Sequence, residues 1–146
     1  MNNYFEVGVR YDKTLENGQL KKVTEQYLVE ALTFTEAEAR TTKEMQSYIS
    51  GEFRVVTEKM TNISEIILSS DKDADKFYKC KHNLITLDEQ TGKEKKMTQY
   101  IIIQAASIDD ARNKYEDFAK DIICDVVLKE ISETKLMDYF PYNAVM

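Results

Sequence analysis

The chain states one structural phrase twice. Residues 21–37 read KKVTEQYLVEALTFTEA and residues 95–111 read KKMTQYIIIQAASIDDA, 74 positions apart (95 − 21). The identities are few: Gly18/Gly92, Lys21/Lys95, Lys22/Lys96, Thr24/Thr98, Ala31/Ala105 and Ala37/Ala111. The punctuation agrees better than the letters, because a turn, a helix cap and an apolar stripe all recur. A chain of 146 residues has room for one ordinary domain or two fused small ones. The repeat therefore predicts two similar halves, about 1–70 and 76–143, making one compact domain over 1–146.

Each half can be built from its local pattern. Phe5, Val7, Val9 and Tyr11 alternate with Tyr4, Glu6, Gly8 and Arg10, the period of a strand with one face on a core. Asn17-Gly18 suits a tight turn, since both residues tolerate positive φ. The return strand carries Val23, Tyr27, Val29 and Ala31. Thr33 and Glu36 have capping-box spacing, and Phe34, Ala37, Thr41, Met45 and Tyr48 form a helical stripe. Gly51 is placed to end that helix. Two further strand-like runs follow. The second half repeats this with Tyr78, Cys80, His82 and Leu84, then Gly92, a cap at Ser107 and Asp110, and a stripe over Ile108, Ala111, Tyr115, Phe118 or Ala119, and Ile122. The polar run at 69–76 reads as the junction, or as the loop of a hairpin that ties the halves together. The fold class predicted is α+β: a duplicated β-hairpin–helix–strand(s) unit, with mostly antiparallel sheets, two helices and a pseudo-twofold relation. Neither half is expected to bury its apolar surface alone, so the halves are expected to share one core.

Composition bounds the chemistry. The net charge of −6 removes a global basic field for nucleic acid and leaves room for a local one. Cys80 and Cys124 form no paired motif and read as reduced, buried thiols. Leader and membrane-span patterns are not seen, so a soluble, cytoplasmic protein is expected. His82 is the sole histidine. A Cys80–His82 site is conceivable, and a packed strand histidine is the plainer reading. Asp71, Asp73 and Asp75 open like a calcium loop, but Lys76 and His82 stand where glycine and glutamate belong. No nucleophile elbow, P-loop or HExxH occurs. We expect no enzyme, no cofactor and no metal.

The remaining pattern is basic and aromatic. Lys21, Lys22, Lys79, Lys81, Lys95 and Lys96, with Tyr4 and Tyr78, fall on the hairpins. Flat aromatics that stack bases, beside lysines that track phosphates, are how many single-strand binders work. Lysines on exposed hairpins also serve solubility and edge protection. Single-stranded DNA or RNA is the expected partner; a phage or host protein, engaged by an interaction or assembly factor, is the alternative.

The stretches YFEVGVRYDKTLENG, KKVTEQYLVEALTFTEAEAR, YISGEF, LITLDEQTGKEKK and MDYFPYN resemble, in order and spacing, a family of uncharacterised proteins from Bacteroides-type bacteria, their phages and mobile elements. The resemblance reaches to Asn143. It implies a small accessory protein of a phage or mobile element inside a bacterial host, and supplies no catalytic residues. In plan alone, the chain is similar to Pur-type and whirly-type single-strand binders, which repeat a four-strand-plus-helix unit.

Overall fold

The computed structural model describes residues 3–142; Asn143, the expected end of the second repeat and of the family resemblance, lies outside them. The described chain runs β1 (Asn3–Thr14), β2 (Leu20–Ala31), α1 (Phe34–Met45), β3 (Phe53–Met60), β4 (Ile63–Ile67), β5 (Lys76–Leu87), β6 (Glu94–Ala105), α2 (Ile108–Ala119), β7 (Asp125–Glu133) and β8 (Leu136–Phe140). The fold is α+β, with two helices and two four-stranded mixed sheets, ordered β3-β1-β2-β8 and β4-β6-β5-β7. Within each sheet the hairpin and its third strand are antiparallel, and the fourth strand is parallel.

The sequence repeat and the compact units have different boundaries. Among the described residues, unit 1 comprises 3–61 and 135–142, and unit 2 comprises 62–134. Thus β8, written at the end of the second repeat, completes the sheet of unit 1. Likewise β4, written at the end of the first, completes unit 2. The polar run at 69–76 is consequently no boundary: it connects β4 to β5 inside unit 2.

The two sheets agree pair by pair, with one slip. Phe5 faces Val29 and Tyr78 faces Ile103, so β2 and β6 correspond at 74 (103 − 29) while β1 and β5 correspond at 73 (78 − 5). The difference lies in the turns. Leu15 and Gln19 close the first loop, whereas Asp88 and Lys93 close a second loop one residue longer. Gly18 and Gly92 each take a positive φ there, 84° and 72°, which a side chain would oppose. The third strands keep the offset of 73. A bulge falls between Gly8 and Val9 in one unit and between Lys81 and His82 in the other. Just beyond, the Thr61 amide and hydroxyl both donate to the Tyr4 carbonyl, at 2.9 and 2.7 Å, and Thr134 repeats this on Phe77 at the same distances.

Each helix begins as its sequence dictates. Thr33 Oγ1 accepts from the Glu36 amide (3.1 Å), and Ser107 Oγ accepts from the Asp110 amide (3.1 Å). The returning carboxylates accept from Leu32 and Ala106, one residue before the cap. Ala37, Thr41 and Met45 then face the sheet in α1, as Ala111 and Tyr115 do in α2. Gly51 does not end α1. The helix stops at Met45 with Gln46 still right-handed, Gly51 lies five residues on without a positive φ, and Tyr48 is exposed.

Under each helix the sheet carries a buried cluster. Phe5, Val7, Val9, Tyr27, Val29 and Ala31 pack with Ala37, Met45 and Phe140 in unit 1; Tyr78, Cys80, Ile101, Ile103 and Ala105 pack with Ala111 and Tyr115 in unit 2. A fourth strand and a helix are enough to close one face of each sheet.

Candidate nucleic-acid interface

Strand register decides which side chains share a face, because opposed residues point the same way. Each sheet has one face under its helix and one face free of it. In unit 1, Lys21 opposes Lys13 on the helix side, while Lys22 opposes Asp12 on the helix-free side. In unit 2, Lys95 opposes Thr86 on the helix side and pairs with Asp88 at 3.5 Å. Lys79, Lys81 and Lys96 lie on the helix-free side, opposite Ile102, Tyr100 and Ile85. The six lysines therefore do not share one face. Within its own sheet, Lys21 parts from Lys22, and Lys95 parts from Lys79, Lys81 and Lys96.

The two aromatic candidates are less available than alternation suggests. Tyr78 is 3% exposed inside the unit 2 cluster and offers no ring face to a base. It sits on the same side of its strand as Cys80 and His82, which is the core side. Tyr4 is half-buried opposite Glu30, edge-on to Tyr139 at 6.3 Å. The aromatic that does meet lysines is Tyr100, half-buried, with Lys79 Nζ 4.7 Å from its ring centroid and Lys81 opposite it.

A cation row in unit 1 is better formed. Arg10 and Arg54 stand directly opposite each other on the helix-free face, and Lys22 is the diagonal neighbour of Arg10. All three are exposed. None makes an ion pair with a described residue. They border an open cleft of about 610 Å³ that reaches round to the helix side, where Tyr11, Phe53, the α1 residue Thr42 and its C-cap Gln46 line it. Like charges facing each other across a ladder are unfavourable, and an anion between them reverses that sign. Arg54 is not foreseen from the sequence. Its face depends on the bulge beside Val9, which returns Phe53 and Val55 to the core side and sends Arg54 outward.

The repeat acts as an internal control on this row. The positions of unit 2 that match Arg10 and Arg54, at an offset of 73, are Asn83 and Val127. The scaffold needs no arginine at either place, so the pair is an addition made in unit 1.

Unit 2 has its own addition. His82 is 0% exposed. Its Nδ1 is 2.7 Å from the Tyr115 hydroxyl and its Nε2 is 3.0 Å from Gln99 Oε1. With a carbonyl oxygen at Nε2, the neutral ring keeps its proton there and Nδ1 accepts from Tyr115. Both ring nitrogens are thus engaged. Burial pushes the neighbouring Cys80 thiol up to about 11, which opposes thiolate chemistry. Cys124 is half-buried in the bend before β7, outside any strand, and both cysteines are free. Asp71 lies 4.0 Å from Lys114 Nζ. Among the described residues, no group of three or more His, Cys, Asp or Glu side chains is placed to hold a metal ion.

No described helix is long and apolar enough to cross a membrane. No curated protein matches the chain. A model of a domain of unknown function, DUF4494, matches residues 3–142. That span takes in both hairpins, both helices and the two fourth strands, and the chain belongs to the DUF4494 family.

Proposed function

We propose that this is a non-catalytic binding protein that engages single-stranded DNA or RNA through the helix-free face of unit 1. The observation that carries the reading is the row Arg54–Arg10–Lys22, exposed and without ion-pair partners among the described residues, whose arginine pair has no counterpart in unit 2. Guanidinium groups match phosphate oxygens in a planar, two-pronged way. In each unit a four-stranded sheet carries one helix, the plan shared with the single-strand binders named above. The sole histidine, buried with both nitrogens engaged, is poorly placed for acid–base work, which favours a non-catalytic role. The family resemblance supports a role in the cytoplasm of a Bacteroides-type host, as an accessory of a phage or mobile element.

Titration of labelled single-stranded oligonucleotides at low salt tests the reading. Binding is expected, falling steeply with salt. Arg10→Ala/Arg54→Ala is expected to reduce the salt slope by about 1 for each phosphate that the variant no longer neutralises. No binding at low salt overturns the proposal. The alternative, a protein-interaction or assembly factor, draws on the exposed Leu87 and Met97 near the end of the second hairpin. Retention of a host or phage protein through that hairpin, abolished in Leu87→Ser/Met97→Ser, supports it.

A further inference from the structure

The strand exchange makes β8 a guest in the sheet it completes. It is joined to β7 through Thr134 and Lys135 alone, yet β7 belongs to unit 2 and β8 to unit 1. Within unit 1 it forms the outer strand, pairing with β2 through Gln26–Leu136, Tyr27–Asp138, Leu28–Tyr139 and Val29–Phe140. Side-chain seats hold it. Phe140 is stacked on Tyr27 at 5.5 Å, and the Tyr139 hydroxyl donates to Glu30 at 3.0 Å. The Tyr142 amide donates to the same carboxylate oxygen at 3.0 Å, and the Arg40 guanidinium lies over the Tyr142 ring and donates to the Pro141 carbonyl. Every one of these seats is on β2 or α1.

The same docking occurs a second time. β4 joins β6 in parallel through Ile63–Tyr100, Glu65–Ile101, Ile66–Ile102 and Ile67–Ile103, with the bulge at the equivalent rung. The parallel edge of the hairpin is thus a recurrent acceptor for a strand from outside its own repeat.

We propose that the β2 edge of unit 1 is a strand-acceptor groove that also takes β8 from a second copy of the chain, giving a strand-exchanged dimer. The seats form in the same way whichever chain supplies the strand, since the groove reads main-chain hydrogen bonds and the alternating side chains of an extended segment. Mass action sets the outcome. The tethered strand competes at an effective concentration on the order of millimolar, so the monomer prevails when dilute and exchange prevails when concentrated chains refold together.

The test uses the full chain carrying Phe140→Ala, which loosens its own β8, and a labelled peptide of residues 135–142. Fluorescence anisotropy is expected to show uptake at least about tenfold tighter than by the natural chain, whose groove is filled. A peptide with the same Phe140→Ala change is expected not to bind. If circular dichroism shows that variant unfolded, Tyr139→Ala replaces it. The natural chain, refolded near millimolar concentration, is expected to elute partly as a dimer that excess peptide dissolves. No uptake by a folded variant, or equal uptake of the altered peptide, overturns the groove. A monomer at every refolding concentration overturns the second copy as its occupant.

Discussion

Glu25 in unit 1 and Gln99 in unit 2 occupy the same rung of the same strand, at an offset of 74 (99 − 25). They organise different chemistry. Glu25 accepts from the Tyr11 hydroxyl at 2.7 Å and lies 3.4 Å from the Tyr27 hydroxyl, with Lys13 at 3.6 Å. Gln99 instead meets His82, which meets Tyr115. The matching positions do not carry these partners across. Tyr11 and Tyr27 become Leu84 and Ile101, while His82 and Tyr115 correspond to Val9 and Thr41. Thr41 satisfies its own hydroxyl by donating to the Ala37 carbonyl at 2.8 Å. The comparison separates two kinds of constraint. Apolar positions, caps, bulges and the threonine clamps are shared because the scaffold requires them. Polar clusters are not shared, because any fully bonded arrangement is tolerated at that depth.

The sharpest way to break this comparison is to give unit 2 the residue of unit 1. His82→Val strands the Tyr115 hydroxyl and should destabilise the chain by about 1–3 kcal/mol in urea unfolding. Adding Tyr115→Phe should recover most of that loss, since both buried partners are then gone. Simple additivity of the two changes would show that the histidine and the tyrosine are not a unit.

A smaller effect tests what is shared. Thr33→Ala and Ser107→Ala each remove the oxygen that caps a helix, and each should cost about 1 kcal/mol. The two losses, read from thermal melts, should be alike. A clear inequality would break the equivalence of the helix starts.

The finest distinction lies at alkaline pH. Burial raises the Cys80 thiol to about 11. Burial first, and then the Glu25 hydrogen bond, raise the Tyr11 hydroxyl to about 12. Tyr27 and Tyr139 are raised as well, mainly by burial. For each group the folded pKa exceeds the unfolded one. Its stabilising contribution is therefore complete below the ordinary value and is lost as the pH rises through the folded value. Unit 2 should lose amide-exchange protection near pH 11, before unit 1 does near pH 12. Loss in both units at one pH, or in the reverse order, would run against this.

Much of the fold is legible because it rests on near neighbours. Alternation of Phe5, Val7 and Val9, the glycines of the turns, and Thr33 with Glu36 each act across a few residues, so they can be read in the letters. The candidate site is less legible. Tyr78 alternates correctly but points inward, and alternation by itself does not say which of two faces is covered. Lys21 and Lys22 are adjacent in the repeat, so the pleat necessarily divides them. Arg54 reaches the face of Arg10 only because a bulge resets the third strand, and a bulge is settled by pairing with a strand far away in sequence.

The amino-acid sequence by itself determined the repeat, the hairpins, the helix starts and the apolar stripes, all of which follow from short-range geometry. The tertiary structure alone decided that the last strand of each repeat completes the other repeat's sheet. It also decided which buried side chains cluster under each helix, and that Arg10, Arg54 and Lys22 share a face. The reason is physical: an edge strand is chosen by which open ladder and side-chain seats it finds, and those are assembled from segments distant in the chain.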